Sequence, residues 1–143
     1  MLDCLDHVQN IVLRAAALSR YFWPTRSRYL ARANYLRNVL CIADNSALHD
    51  RELRNAVEHL DERLDDYLAN GIAGHILPEW FGPTRDTRGV PTHFFRAYFV
   101  DSGTFRILDK SFALQPVIDE LMRVHFLLED ADENGGTFQG ADT

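Results

Sequence analysis

An arginine, an asparagine and a histidine stand within six residues of one another in the run Arg54-Asn55-Ala56-Val57-Glu58-His59. An imidazole titrates near neutrality, so it can both take and return a proton. A guanidinium holds a phosphate through parallel N–H bonds and offsets the charge that builds on its oxygens. An amide can orient the imidazole or donate to a phosphate oxygen. Set around a phosphodiester, such groups can move the proton of a ribose 2′-hydroxyl, or of the leaving 5′-oxygen, while the phosphate is held. Arg51 and Arg63 flank the trio and add candidate substrate-binding charge.

The element that must carry these residues is a helix from about Ala47 to Leu68, which Asn70-Gly71 ends. At about 100° per residue, Leu53, Ala56, Val57, Leu60, Leu64, Tyr67 and Leu68 form one apolar stripe. Arg54, Asn55, Glu58, His59, Glu62 and Asp66 fall on the opposite half, where water, a substrate or a partner meets them. With 14 arginines and 6 histidines in the 143 residues, an arginine five before a histidine arises by chance about 0.6 times. Arg88 and His93 share the spacing, but Gly89 and Pro91 deny them a helix. Requiring asparagine next to the arginine lowers the chance expectation to about 0.03. The competing reading is a solvated helix face on which Arg54 pairs with Glu58 and His59 with Glu62. Asp61, Glu62, Asp65 and Asp66 make its later half acidic.

The run Arg54-Asn55-Ala56-Val57-Glu58-His59 resembles the arginine, polar residue, three variable residues, histidine motif of HEPN domains. The hairpin followed by Phe112-Ala113-Leu114-Gln115-Pro116-Val117-Ile118 is also similar to bacterial HEPN-like proteins with an appended β element. The resemblance implies a mainly α fold, an up-and-down helical bundle with an inserted β-hairpin. It implies a metal-independent endoribonuclease of toxin or defence type that cleaves RNA by 2′-hydroxyl transesterification, leaving a cyclic phosphate and a free 5′-hydroxyl. His59 would be the general acid/base, Arg54 the phosphate clamp and Asn55 an orienting donor; no cofactor is implied.

Arg54 and His59 lie roughly 140° apart around an ideal helix axis. Two such helices crossing about a two-fold axis would bring one protomer's arginine to the other's histidine. A homodimer is therefore expected, with RNA and an antitoxin protein as further partners. In the toxin branch that is modified by a nucleotidyltransferase, a tyrosine lies two residues after the histidine; Asp61 stands there instead. The alternative is a non-catalytic dimerisation or partner-binding module.

The rest of the chain reads as scaffold. Leu5, Val8, Val12, Ala15, Ala16 and Ser19 repeat at helical spacing over Leu5–Phe22, and Trp23-Pro24 stops that helix. A second helix runs to about Ala43. His75–Pro91, rich in proline and glycine, reads as a loop; Thr92–Val100 and Thr104–Leu108 read as a hairpin at about 92–109. A last helix from Gln115 to about Glu129 completes a domain over 1–130, with 131–143 a flexible tail. Sheet aromatics such as Phe94, Tyr98 and Phe99 could stack bases, although one face of a hairpin must be core.

A net charge of -6 opposes indiscriminate coating of nucleic acid. Its distribution is uneven: Arg14, Arg20, Arg26, Arg28, Arg32 and Arg37 precede Ala43, against only Asp3 and Asp6. Either this is a local phosphate-binding patch or these are solvated faces in an arginine-rich composition. Cys4 and Cys41 make no disulfide framework, and the histidines include no paired glutamate-x-x-histidine segments, so no metal is expected. No apolar run is long enough to span a membrane, and the cytoplasm is the simplest location.

Overall fold

The structure is a computed structural model that describes residues 2–138. Among these are five α-helices and a four-stranded mixed sheet: α1 (Leu2–Phe22), α2 (Leu30–Val39), α3 (Arg51–Glu58), α4 (Leu60–Ala69), β1 (His75–Gly82), β2 (Thr92–Phe99), β3 (Thr104–Ile107), β4 (Lys110–Ala113) and α5 (Gln115–Glu133). The expected helical bundle with a hairpin is thus corrected to an α+β fold. The chain divides into two compact units. One holds the residues up to Leu13 with Arg51–Gln115, and the other holds Arg14–Asp50 with the residues from Pro116 onward. Of the expected tail, 131–133 belong to α5, and 139–143 lie outside the described residues.

The strands of the first unit run in the order β1-β2-β3-β4. The expected hairpin is the antiparallel pair β2–β3, with Arg96 opposite Ile107 and Phe99 opposite Thr104. Two further strands were hidden. β4 follows β3 through Leu108 and Asp109, where Leu108 takes a left-handed φ of 55° without being glycine, so the turn has no composition signal. β1 lies where a loop was expected and pairs in parallel with β2, His75 beside Thr92 and Gly82 beside Phe99. Its Pro78 is tolerable because β1 is an edge strand.

Parallel neighbours usually need a long crossover, often a helix. Here only residues 83–91 return the chain, about 30 Å of extended backbone for a strand of about 25 Å. Thr84 fixes the start, donating from its N–H and its hydroxyl to Asp101 Oδ1, both at 2.9 Å. The hydroxyl bond leads in holding the Asp101 carboxyl below its ordinary pKa. At the other end the His75 N–H donates to Pro91 O at 2.9 Å, and a Cβ on Gly74 would lie 2.1 Å from that oxygen. Only glycine fits there.

Alternation fails along β2, where Phe94, Ala97 and Phe99 are the buried residues, packed with Leu77 and Trp80 of β1. Arg96 lies between them with 13% of its side chain exposed. Its Nη1 donates to Asp6 Oδ1 of α1 at 2.7 Å and to Gln9 Oε1 at 2.8 Å, and its Nη2 donates to Glu79 Oε1 of β1 at 2.5 Å. Burial pulls the Arg96 pKa down, and the bonds to Asp6 and Glu79 outweigh it, so the group is held above its ordinary value. Arg96→Ala leaves two carboxylates without their cation. A loss of about 2–4 kcal/mol by urea denaturation is expected, and a loss under about 0.5 kcal/mol would show the network to be passive.

In the second unit, α1 ends at Phe22 as Trp23-Pro24 dictates, and a 3-10 turn at Ser27–Tyr29 leads into α2. The six residues expected to line the inner face of α1, Leu5 to Ser19, are all buried. α2 stops earlier than expected, at Val39. Cys41 takes a left-handed φ of 50°, the Ile42 N–H donates to Arg37 O at 2.8 Å and the Cys41 N–H to Asn38 O at 3.1 Å. This is a Schellman ending made without glycine. Arg123 of α5 completes it, donating to Leu40 O at 2.7 Å and Cys41 O at 3.3 Å while Glu120 accepts from its Nε and Nη2 at 2.9 and 2.8 Å.

The Arg123 bond, opposed by burial, holds the Glu120 carboxyl below its ordinary pKa. A depressed carboxylate stabilises the fold above its unfolded value and loses that contribution as pH falls through its folded value. Glu120→Gln should therefore lower stability at neutral pH and flatten the acid limb below about pH 4.3. Parallel acid-denaturation curves for the two proteins would contradict this.

Candidate functional site

The helix expected over 47–68 is divided. Ala47–His49 is a 3-10 turn capped by Ser46, whose Oγ accepts from the Leu48 N–H at 3.3 Å. α3 then ends at Glu58, and His59 leaves helical angles at φ -119°, ψ 34° before α4 begins. The backbone bonds on either side persist, His59 N–H to Asn55 O and Arg63 N–H to His59 O, both 3.1 Å. The run is interrupted by one residue rather than severed. No proline or glycine marks the place, and a 140° separation computed for an unbroken helix does not carry across it.

The stripe expected to face inward does so in α3, where Leu53, Ala56 and Val57 are buried. It weakens in α4: Leu60, Leu64 and Tyr67 are half-buried and Leu68 is exposed. Arg54 and Asn55 are half-buried, Arg51 is exposed and Arg63 half-buried. His59 is the open member, with 55% of its side chain exposed, and its Nδ1 lies 3.7 Å from Glu62 Oε2. The Glu62 carboxylate is 77% exposed, so the pair sits in water and can release the imidazole to another partner. α3 and α4 thus set an accessible imidazole beside a carboxylate, one helical turn after a half-buried guanidinium and amide.

Other candidates sort differently. His93 is half-buried on β2: its Nε2 donates to Ala73 O at 2.8 Å, which leaves Nδ1 to accept from the Tyr67 hydroxyl. That ring is fully engaged in joining α4 to the sheet. Tyr67 lies on the edge of an apolar stripe, and a half-buried phenol there needs a polar partner; this was the available signal. His125 on α5 is exposed, with Nε2 beside Glu129 Oε1 at 3.1 Å. Of the sheet aromatics considered for base stacking, Phe94 and Phe99 are buried and Tyr98 is half-buried. Arg106 lies over Phe94 and donates to Leu108 O at 2.9 Å. No helix among the described residues is long and apolar enough to cross a membrane.

No family model matches the chain, and neither a curated protein nor a solved structure matches it.

The difference in burial between the two histidines has a measurable consequence. His59→Ala should leave stability within about 0.5 kcal/mol, whereas His93→Ala, which strands the Tyr67 hydroxyl and the Ala73 carbonyl, should cost about 1–3 kcal/mol. Chemical denaturation separates the two, and a His59 loss as large as that of His93 would mean the exposed ring is structural.

Proposed function

We propose that the chain cleaves RNA without a metal, with His59 as general acid/base, Arg54 as phosphate clamp and Asn55 as an orienting donor. The observation that carries this reading is the exposed His59 imidazole, lifted out of the helical run and set 3.7 Å from the Glu62 carboxylate. His59 would take the proton of a ribose 2′-hydroxyl as the general base. The 2′-oxygen then bonds to phosphorus, the bond from phosphorus to the 5′-oxygen breaks, and the proton passes to that leaving oxygen. The products are a cyclic phosphate and a free 5′-hydroxyl. Arg54 would hold the non-bridging oxygens as their charge grows, with Arg51 and Arg63 as outer phosphate contacts.

The HEPN resemblance supports this reading over α3 and α4 alone; the sheet adds nothing to it. As in that family, a homodimer would bring Arg54 of one copy to His59 of the other. A second reading, a module that binds another protein such as an antitoxin, is favoured by α5. That helix exposes Met122, Phe126 and Leu128, with Phe126 58% accessible.

The test is incubation of a structured RNA with the protein in EDTA, beside His59→Ala and Arg54→Ala. Cleavage is expected from the wild type with a cyclic-phosphate end, and a loss of 100-fold or more in each variant. Absence of cleavage by all three, with α5-dependent capture of a partner, would favour the binding module. Cleavage retained by His59→Ala would remove the proposed chemistry.

A further inference from the structure

The second unit carries a surface that the reading above does not use. Between His7 and Ala43 there is no aspartate or glutamate, yet Arg14, Arg20, Arg26, Arg28, Arg32 and Arg37 lie there, in a chain whose total charge is -6. The turn at Trp23-Pro24 folds this segment back on itself. The end of α1 and the start of α2 consequently enclose a groove of about 460 Å³ lined by Ala17, Arg20, Tyr21, Tyr29 and Arg32.

Two of the arginines at this groove, Arg32 in its lining and the neighbouring Arg28, are laid on tyrosine rings. The Arg32 guanidinium is 5.1 Å from the Tyr21 ring centre and 4.8 Å from that of Tyr29, and Arg28 is 4.7 Å from Tyr29. Arg28 and Arg32 are one turn apart and both exposed, a like-charge pair that costs an isolated helix a few tenths of a kcal/mol. A guanidinium held over a ring by cation–π attraction still has N–H donors with which to meet oxygens. Tyr21 and, further along α2, Tyr35 are 54% and 52% exposed, large flat faces that water solvates poorly.

We infer that this groove binds a single strand of nucleic acid, its phosphates on Arg32 and the neighbouring Arg28 and an unstacked base on the exposed ring of Tyr21. Planar cations select phosphate, and exposed aromatic faces select bases that a duplex would hide. An acidic peptide would satisfy the charges and leave the rings unused. The inference rests on the proposed function only for naming RNA as the natural strand; its residues are all different.

The experiment uses the full chain carrying His59→Ala, in EDTA, with a fluorescein-labelled 12-nucleotide RNA followed by anisotropy across a range of salt. Binding that weakens with salt is expected. Arg28→Gln with Arg32→Gln should weaken it at least about tenfold and reduce the log–log salt slope by about 1.4, two single-strand phosphate contacts at about 0.7 each. Tyr21→Leu should weaken it about fivefold or more with the slope unchanged. Arg85→Gln with Arg88→Gln, which removes equal charge from exposed arginines of the first unit, should change neither quantity.

Equal loss in that control, displacement by polyglutamate as readily as by RNA, or no binding at all would overturn the inference. Preference for duplex over single strand would also overturn it. Equal affinity for DNA of the same sequence would support the groove and show that it reads phosphate and base without the 2′-hydroxyl. Cleavage by the wild type with no effect of the groove substitutions on binding would sink the groove and leave the His59 chemistry standing. Groove-dependent binding without cleavage would do the reverse.

Discussion

A guanidinium with little access to water is tolerable only if acceptors surround it, and Arg96 meets that condition by reaching three segments at once. Glu79 lies 17 residues away, while Gln9 and Asp6 lie 87 and 90 away in sequence. β1 pairs on one side only, skips a partner at Pro78 and has a short return, so this shared charge adds to what strand pairing gives it. Contacts so distant form late, because loop closure must precede them. The parallel edge of the sheet therefore depends on the amino-terminal helix being in place.

Arg123 performs an analogous task in the second unit, with two successive carbonyls and one carboxylate on a single planar group. An ammonium could not spread its donors over that geometry. This separates the chain's arginines physically. Arg96, Arg106 and Arg123 are committed to carbonyls and carboxylates of the fold, whereas Arg28 and Arg32 rest on tyrosine rings and face outward. In a chain with one lysine, Lys110, arginine thus serves in two settings, internal bracing and an outward surface.

Periodicity disclosed whatever is amphipathic and local: the inner face of α1 from Leu5 to Ser19, the buried side of α3, the end of α4 at Asn70-Gly71 and the β2–β3 hairpin. It could not disclose β1, whose Pro78 and interrupted alternation imitate a loop because the strand draws its order from a parallel neighbour. Nor could it disclose β4, entered through a left-handed leucine in place of glycine or asparagine. In the candidate site, the outward position of His59 was legible from its helical phase. The one-residue interruption there was not, because nothing in Glu58-His59-Leu60 is a helix breaker. The bond between Tyr67 and His93 joins residues 26 apart and follows only from the folded sheet.

The strand order has a consequence for how copies of this molecule can meet. One margin of the sheet is β1, where Pro78 withholds a donor, and the other is β4, four residues long and opening on Lys110. Neither offers a long, uniform row of backbone groups to a neighbouring strand. Growth of the sheet from molecule to molecule, the usual seed of fibrils, is disfavoured at both ends. Self-association is left to helical surfaces, where it can close symmetrically and stop.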